Sequence, residues 1–201
     1  MQIQWTGLAS FRIQTSHAVI VTDPFSDSTG LIMPKLKADI TLVSDHKNPI
    51  CNNVKRLSGD GKVIDGPGEY EIKGTFVYGV PAINTLYLIE DDNISIAFLG
   101  ALDSGLTNDQ LEKLEGADIL LLPVGTLSKE QRGVVISQLE PRVIIPYLYK
   151  QPKVKQSLES VETFLKEMAV KKAEPMEKYS IKDKDLPQED TMVILLSPTQ
   201  A

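Results

Sequence analysis

The sequence predicts an α/β (α+β) fold in which two β-sheets, or one large mixed sheet, carry helices on the outside. One observation is that short apolar or alternating runs, separated by turn residues, occupy residues 1–99. The other is that segments with helical spacing alternate with apolar runs from residue 107 onward, and strand-like runs return near the end. We therefore expect a strand-rich first half followed by β-α-β alternation.

Polar turns divide the first half into short strands. Gly7 and the turn Thr15-Ser16-His17 separate the first three runs, which indicates an opening meander. Asp91-Asp92-Asn93 separates the last two runs and indicates a hairpin. The predicted strands are 3–5, 10–14, 18–22, 40–43, 63–65, 69–72, 75–80, 85–90 and 94–99.

Helical spacing appears in three segments of the second half. Thr107 is a suitable N-cap for a helix that ends near Gly116, and further helices are predicted over 129–139 and 157–168. Between and after them we predict strands over 119–122, 143–145, 179–182 and 192–196. Pro146 is expected to stop the second of these strands.

Composition excludes several classes of protein. The 201 residues contain 21 Lys+Arg and 27 Asp+Glu, a net charge of −6, which gives a nucleic-acid partner little electrostatic support. The single cysteine, Cys51, excludes an internal disulfide framework and a thiolate-rich zinc site. Because no signal-peptide pattern or membrane-length apolar run occurs, we expect a single cytoplasmic domain over residues 1–201 with no membrane partner.

Several short segments follow one another in a recognisable order. They are Trp5–Ile13 (WTGLASFRI), 22–25 (TDPF), 38–44 (ADITLVS), 63–71 (VIDGPGEYE), 98–100 (FLG), 120–125 (LLLPVG) and 139–146 (LEPRVIIP). In order and spacing they resemble the metallo-β-lactamase superfamily, in particular the branch of small hydrolases that includes the L-ascorbate-6-phosphate lactonase-like proteins. The resemblance implies an αββα sandwich with the active site at one edge of the two sheets. It also implies a homo-oligomer and two metal ions, zinc or manganese, held by imidazoles and carboxylates.

The ligands of that two-metal site are degenerate in this sequence. Where the family has a His-x-His-x-Asp-His run after a strand, this chain reads Asp45-His46-Lys47-Asn48-Pro49-Ile50-Cys51. The family's bridging carboxylate falls at Ala101, and its final histidine falls at Leu148. The former metal-site positions are therefore Asp45, His46, Cys51, Ala101 and Leu148, and with two histidines in the whole chain the family's site cannot be rebuilt.

Other polar residues near these positions are interpreted as structural. Asp23, Asp65 and Asp103 are a possible residual pocket, but Asp23 and Asp65 precede Pro or Gly, where a carboxylate commonly caps a turn. His17 is interpreted as an exposed turn residue with no neighbouring ligand, and Cys51 as a small apolar filler.

From these residues we expect a metal-free protein without a cofactor, a catalytically inactive pseudoenzyme that acts in binding or assembly. One alternative is a divergent hydrolase that holds a metal on a reduced set of carboxylates and histidine at Asp45, His46 and Asp103. Another is a metal-free pocket for a small apolar ligand. The partner, whether a small molecule or a protein, is left open.

Overall fold

The chain forms two β-sheets around a shared hydrophobic core in a computed structural model that describes residues 1–48 and 50–199. The six-stranded sheet has the order β12-β1-β2-β3-β4-β5. Its strands are β1 Gln2–Gly7, β2 Ser10–Gln14, β3 Val19–Thr22, β4 Ile40–Leu42, β5 Lys62–Ile64 and β12 Tyr179–Ser180. Strands β1, β2 and β3 are antiparallel, which confirms the predicted meander, and β3, β4 and β5 are parallel.

The seven-stranded sheet has the order β13-β11-β10-β9-β8-β7-β6. Its strands are β6 Gly68–Ile72, β7 Thr75–Val80, β8 Leu86–Asp91, β9 Ile94–Phe98, β10 Ile119–Pro123, β11 Val143–Tyr147 and β13 Met192–Val193. Strands β6 to β9 are antiparallel, so the predicted hairpin at residues 91–93 is confirmed. Strands β9, β10, β11 and β13 are parallel, as β-α-β connections require.

Three α-helices accompany these strands in the described ranges, α1 Asn108–Leu114, α2 Lys129–Leu139 and α3 Val161–Glu167. Capping boxes begin the first two: Thr107 caps α1 with Gln110, and Ser128 caps α2 with Gln131. Helix α3 begins later than predicted, because residues before Ser160 bond elsewhere; the Glu159 carbonyl, for example, accepts from the Lys150 N–H at 2.7 Å.

Pro146 does not stop its strand, contrary to the sequence prediction. It lies inside β11, paired with Leu122 of β10. The neighbour on the other side, β13, pairs only with Val143 and Ile144, so no ladder bond to β13 is needed at Pro146. A proline is tolerated in a strand where its missing N–H faces no partner.

Aromatic side chains join the two sheets in the core. Phe11 of the six-stranded sheet packs edge-on against Tyr147 of the seven-stranded sheet at 5.3 Å between ring centroids, and Phe98 stacks on Tyr147 at 5.8 Å. All three side chains are fully buried. Because the Phe11–Tyr147 contact crosses between the sheets, it helps to fix how the strand ends of one sheet meet those of the other.

Loops and turns from the two sheets meet at two edges of the fold. At the carboxyl edge, Asp23, Ser44, Gly100 and Leu148 follow the parallel strands β3, β4, β9 and β11. At the turn edge, the β2–β3 turn (residues 15–18) lies beside the β8–β9 turn (residues 92–93). No helix among the described residues is long and apolar enough to cross a bilayer.

Candidate functional site

A group of three possible metal ligands lies at the turn edge. His17, Asp91 and Asp92 each offer one donor atom, and these atoms lie within 4.8 Å of one another. Within residues 1–48 and 50–199, no other set of three His, Cys, Asp or Glu side chains converges in this way. This arrangement makes the turn edge the candidate metal centre of the chain.

Local turn chemistry positions these side chains. Asp92 and Asn93 have φ values of 55° and 57°, the left-handed pair of a two-residue type I′ hairpin turn, in which Asp and Asn are favoured. Asp91 is the last residue of β8 and pairs with Ile94. On the opposing turn, the Thr15 hydroxyl accepts hydrogen bonds from the backbone N–H groups of His17 and Ala18.

Hydrogen bonds hold the two carboxylates in different ways. The Asp91 side chain is fully buried, its Oδ1 lies 2.7 Å from Nδ1 of the half-exposed His17, and the Thr75 hydroxyl donates to Oδ2. Asp92 is less buried, and it accepts from the Ser16 N–H at 3.1 Å and from the Ser16 hydroxyl. Both carboxylates are therefore oriented before any ligand arrives.

Charge around the group shifts two pKa values. The hydrogen bond to Asp91, together with its negative charge, raises the pKa of His17. Burial acts to raise the pKa of Asp92, but hydrogen bonds from Ser16 and the Met1 amino group, 3.3 Å away, outweigh it, and the pKa is lowered. Asp92 is thus held as an anion, which is the form that binds a cation.

The donor set fits a single divalent ion. Catalytic zinc sites use three protein ligands and leave a fourth position open, and imidazole with carboxylates also suits manganese. Ligand atoms around such an ion lie about 3 to 4 Å from one another. The imidazole of His17 and the two carboxylates are therefore close enough to surround one ion, which would replace the hydrogen bond between His17 and Asp91.

A large cleft opens beside the group. Its volume is about 1020 Å³, and His17, Asp91 and Asp92 form part of its wall. Other charged residues of the wall are Glu90, Asp118, Lys182, Asp183 and Lys184. A cleft of this size admits a small organic substrate next to the three ligands.

Asp23 does not form an open pocket at the carboxyl edge. Its side chain is buried, and it accepts hydrogen bonds from the Ser44 N–H and hydroxyl, both at 2.7 Å. Burial raises the pKa of Asp23 to about 7, although the bonds from Ser44 oppose this shift. Asp23 therefore joins the ends of β3 and β4, 21 residues apart in the chain, which is a structural role.

The described residues of the former metal loop, 45–48 and 50–51, do not converge as ligands. Asp45 is partly exposed, His46 is exposed, and the His46 carbonyl accepts from Asn52 Nδ2 at 2.6 Å. The Cys51 thiol donates to the Asp45 carbonyl at 3.4 Å, and burial raises its pKa to about 12. A thiol with so high a pKa is neither a ready ligand nor a nucleophile.

The remaining predicted positions are dispersed. Asp65, Ala101 and Asp103 are exposed, whereas Leu148 is buried with a φ of 53°. Because Asp45, His46 and Asp103 do not converge, the structure does not form the reduced site that the sequence suggested there. The family's two-metal centre does not fit these residues either.

The candidate centre is not apparent from the sequence, because its members are far apart in the chain. His17 was interpreted as having no neighbouring ligand, which is wrong: Asp91 lies 74 residues later and bonds to it. For Asp91 and Asp92 the sequence pattern predicts only a hairpin turn. The one available signal was that a polar turn with a histidine and a polar turn with two aspartates could meet at one edge.

Comparison with known proteins identifies the family. The sequence model of a family described as a beta-lactamase superfamily domain matches residues 2–148, so the chain belongs to this family. A crystal structure from Thermotoga maritima, described as a proposed Zn-dependent hydrolase of the metallo-β-lactamase superfamily, is 31% identical. The match covers 98% of this chain and 100% of that one, with a TM-score of 0.83.

Two further relatives are more distant. A protein of Pyrobaculum arsenaticum named UPF0173 metal-dependent hydrolase is 22% identical over 79% of this chain and 89% of its own length. The metallo hydrolase Igni18 of Ignicoccus hospitalis shares the fold, with a TM-score of 0.64, 18% identity, and coverage of 90% of this chain and 99% of that one. The predicted fold class is confirmed, whereas the lactonase-like branch stays a prediction.

These findings correct two expectations from the sequence. The expectation of a metal-free, inactive binding or assembly protein is wrong, because the relatives are named metal-dependent hydrolases and the turn edge carries His17, Asp91 and Asp92. The expectation of no cofactor is wrong for the same reason. The physical cause of both errors is that the ligands were sought at the carboxyl edge alone, while the converging group lies at the turn edge.

Proposed function

We propose that this chain is a metal-dependent hydrolase that holds one divalent ion, zinc or manganese, on His17, Asp91 and Asp92. The observation that carries the proposal is the convergence of these donors within 4.8 Å beside a cleft of about 1020 Å³. The names of the relatives from Thermotoga maritima and Pyrobaculum arsenaticum support the same class of activity.

In this reaction the residues of the chain would bind the ion and orient the substrate. When bound, the ion supplies Lewis acidity that polarises a carbonyl or phosphoryl group and lowers the pKa of water. The Thr75 hydroxyl holds one oxygen of Asp91, and Ser16 holds Asp92, so both ligands keep their orientation. Lys182 and Lys184 line the cleft and provide positive charge for an anionic group of the substrate.

Metal analysis tests the ligand assignment directly. Protein purified without chelators and then titrated with Zn²⁺ or Mn²⁺ should bind about one equivalent, because three protein ligands suffice for a catalytic site. His17→Ala and Asp92→Asn should each weaken binding at least about tenfold. His46→Ala is the matched control, since it removes the other histidine of the chain and should leave binding unchanged.

Hydrolysis assays test the activity separately. Ester, lactone and phosphodiester substrates should be turned over by the metal-loaded protein, and chelator should abolish turnover.

Loss of metal in His46→Ala but not in His17→Ala would place the ion elsewhere and contradict the assignment. Absence of stoichiometric metal in the wild-type protein would contradict the proposed function itself.

A further inference from the structure

Gln151 carries a buried amide group whose hydrogen bonds are incomplete. The residue is 6% exposed, and its Oε1 accepts from the Leu8 N–H at 3.0 Å. Its Nε2 has no hydrogen-bond partner anywhere in residues 1–48 and 50–199. Leaving a buried donor unpaired costs about 1 to 3 kcal/mol, so native proteins seldom do it without a reason.

Gln151 also lines a small cleft at the carboxyl edge, which we call the Gln151 cleft, although its Nε2 atom is itself closed off from solvent. Its volume is about 240 Å³, and it is lined by Leu31, Ile32, Gln151, Pro152, Lys153 and Pro198, with others. Because Leu8 follows the end of β1 and Met1 precedes its start, the Gln151 cleft and the His17 group lie at opposite ends of the sandwich. The Gln151 cleft is thus separate from the proposed metal centre.

Close backbone contacts hold the walls of the Gln151 cleft. Gly30 has a φ of 94°, and a Cβ on it would lie 2.0 Å from the Lys153 carbonyl oxygen, so only glycine lets these loops touch. The Lys155 N–H donates to the Thr29 carbonyl at 3.0 Å and fastens the same two loops together. The backbone around the cleft is therefore fixed by the fold.

The chemistry of the walls defines what the cleft would bind. The Nε2 group of Gln151 offers donors and no charge, while Lys153 is exposed and takes part in none of the ion pairs found in the described ranges. Leu31, Pro152, Pro198 and the 62%-exposed Ile32 supply apolar surface. An amide donor, an ammonium group and apolar walls together suit a carboxylate with a short apolar tail.

We propose that the Gln151 cleft binds a small monocarboxylate, whose oxygens accept from Gln151 Nε2 and pair with Lys153 while its tail lies against Ile32 and the prolines. A volume of about 240 Å³ corresponds to roughly eight water molecules, which fits a chain of four to six carbons. Leu31 lies next to Gln151, since both are within 3.6 Å of the position of a Cβ on Gly7. Because Nε2 is closed off from solvent, binding of the carboxylate requires the side chain of Leu31 to move away from it.

Binding of butyrate and hexanoate, with butanol and hexanol as uncharged controls of equal length, tests the proposal. In ¹⁵N-labelled wild-type protein, saturable binding of the carboxylates should shift the side-chain amide resonances of Gln151 and raise the Tm. The alcohols should do neither. No shift at Gln151 with either carboxylate, or equal binding of acids and alcohols, would overturn the proposal.

Two variants locate the interaction. Gln151→Glu keeps an acceptor for Leu8 but removes the donor, and Lys153→Gln removes the exposed charge; each should weaken butyrate binding about tenfold. Lys155→Gln is the matched control on the same loop and should bind as the wild type does. Because Lys153 is exposed, its variant stays folded even where Gln151→Glu does not, and unchanged affinity in Lys153→Gln would contradict the assignment. A crystal structure at saturating butyrate that shows only an ordered water on Nε2 would also contradict the assignment.

Discussion

The guanidinium of Arg132 lies 2.6 Å from the carboxylate of Glu167, and this pair joins helix α2 to helix α3. The Arg132 side chain is 2% exposed. Glu159, in the loop before α3, also pairs with it, at 2.8 Å. The Arg132 Nη1 donates to the Leu127 carbonyl at 2.8 Å as well. One buried cation therefore holds a helix, a loop and a turn together.

Replacing Arg132 should destabilise the fold strongly. Arg132→Met leaves the Glu167 carboxylate and the Leu127 carbonyl without their partner, and breaking a buried pair from one side costs about 3 to 5 kcal/mol. Urea denaturation measures the free energy of unfolding. Glu174→Gln is the control, because the Lys172–Glu174 pair is about four-fifths exposed and should contribute nothing measurable. A similar, small effect of both variants would contradict this role of Arg132.

The buried carboxylate of Asp23 should make stability depend on pH. Its pKa is raised to about 7 in the folded state, so its contribution is fully present below the unfolded pKa near 4 and is lost as the pH rises through 7. We expect the free energy of unfolding to fall by about 2 to 4 kcal/mol over this range. Denaturant titrations at a series of pH values measure it.

Asp23→Asn isolates this effect from other titrating groups such as His17. Asparagine can still accept from the Ser44 N–H, so the variant should fold and should lack the part of the pH dependence that Asp23 causes. Parallel stability curves for the wild-type and variant proteins between pH 4 and 8 would show that Asp23 does not titrate in this range.

The β8–β9 turn should be sensitive to side-chain shape at Asn93. Because its φ is 57°, Asn93→Val places a β-branched residue in the left-handed region and should cost about 1 to 2 kcal/mol. Asn93→Gly fits the same turn and should leave stability within about 0.5 kcal/mol of the wild-type value. Thermal unfolding compares the two, and equal melting temperatures would argue against a strained turn.

Asp91 should matter for folding even without metal. Its side chain is fully buried and accepts from the Thr75 hydroxyl, so Asp91→Ala leaves a buried hydroxyl unpaired and should cost about 1 to 3 kcal/mol. His17→Ala should cost much less, because the imidazole is half exposed. Denaturation in the presence of chelator makes this comparison. A larger loss of stability in His17→Ala than in Asp91→Ala would contradict the prediction that Asp91 is the residue that matters for folding.

The patterns of the sequence predicted most elements of the fold because they depend on local chemistry. Helix α2 runs over Lys129–Leu139, as the helical spacing of its apolar residues predicts. The hairpin at Asp92 and Asn93 follows from turn preference alone. Pro146 was misjudged, because whether a proline interrupts a strand depends on which neighbour its nitrogen faces.

The sequence by itself determined the α/β class and the family resemblance, since each depends on residue type and order along the chain. Only the tertiary structure decided that His17 meets Asp91 across 74 residues and that Gln151 is buried against Leu8 across 143. The physical reason is that turns and loops from different sheets approach one another only when the core packs. No local pattern of polar residues specifies which turn will face which.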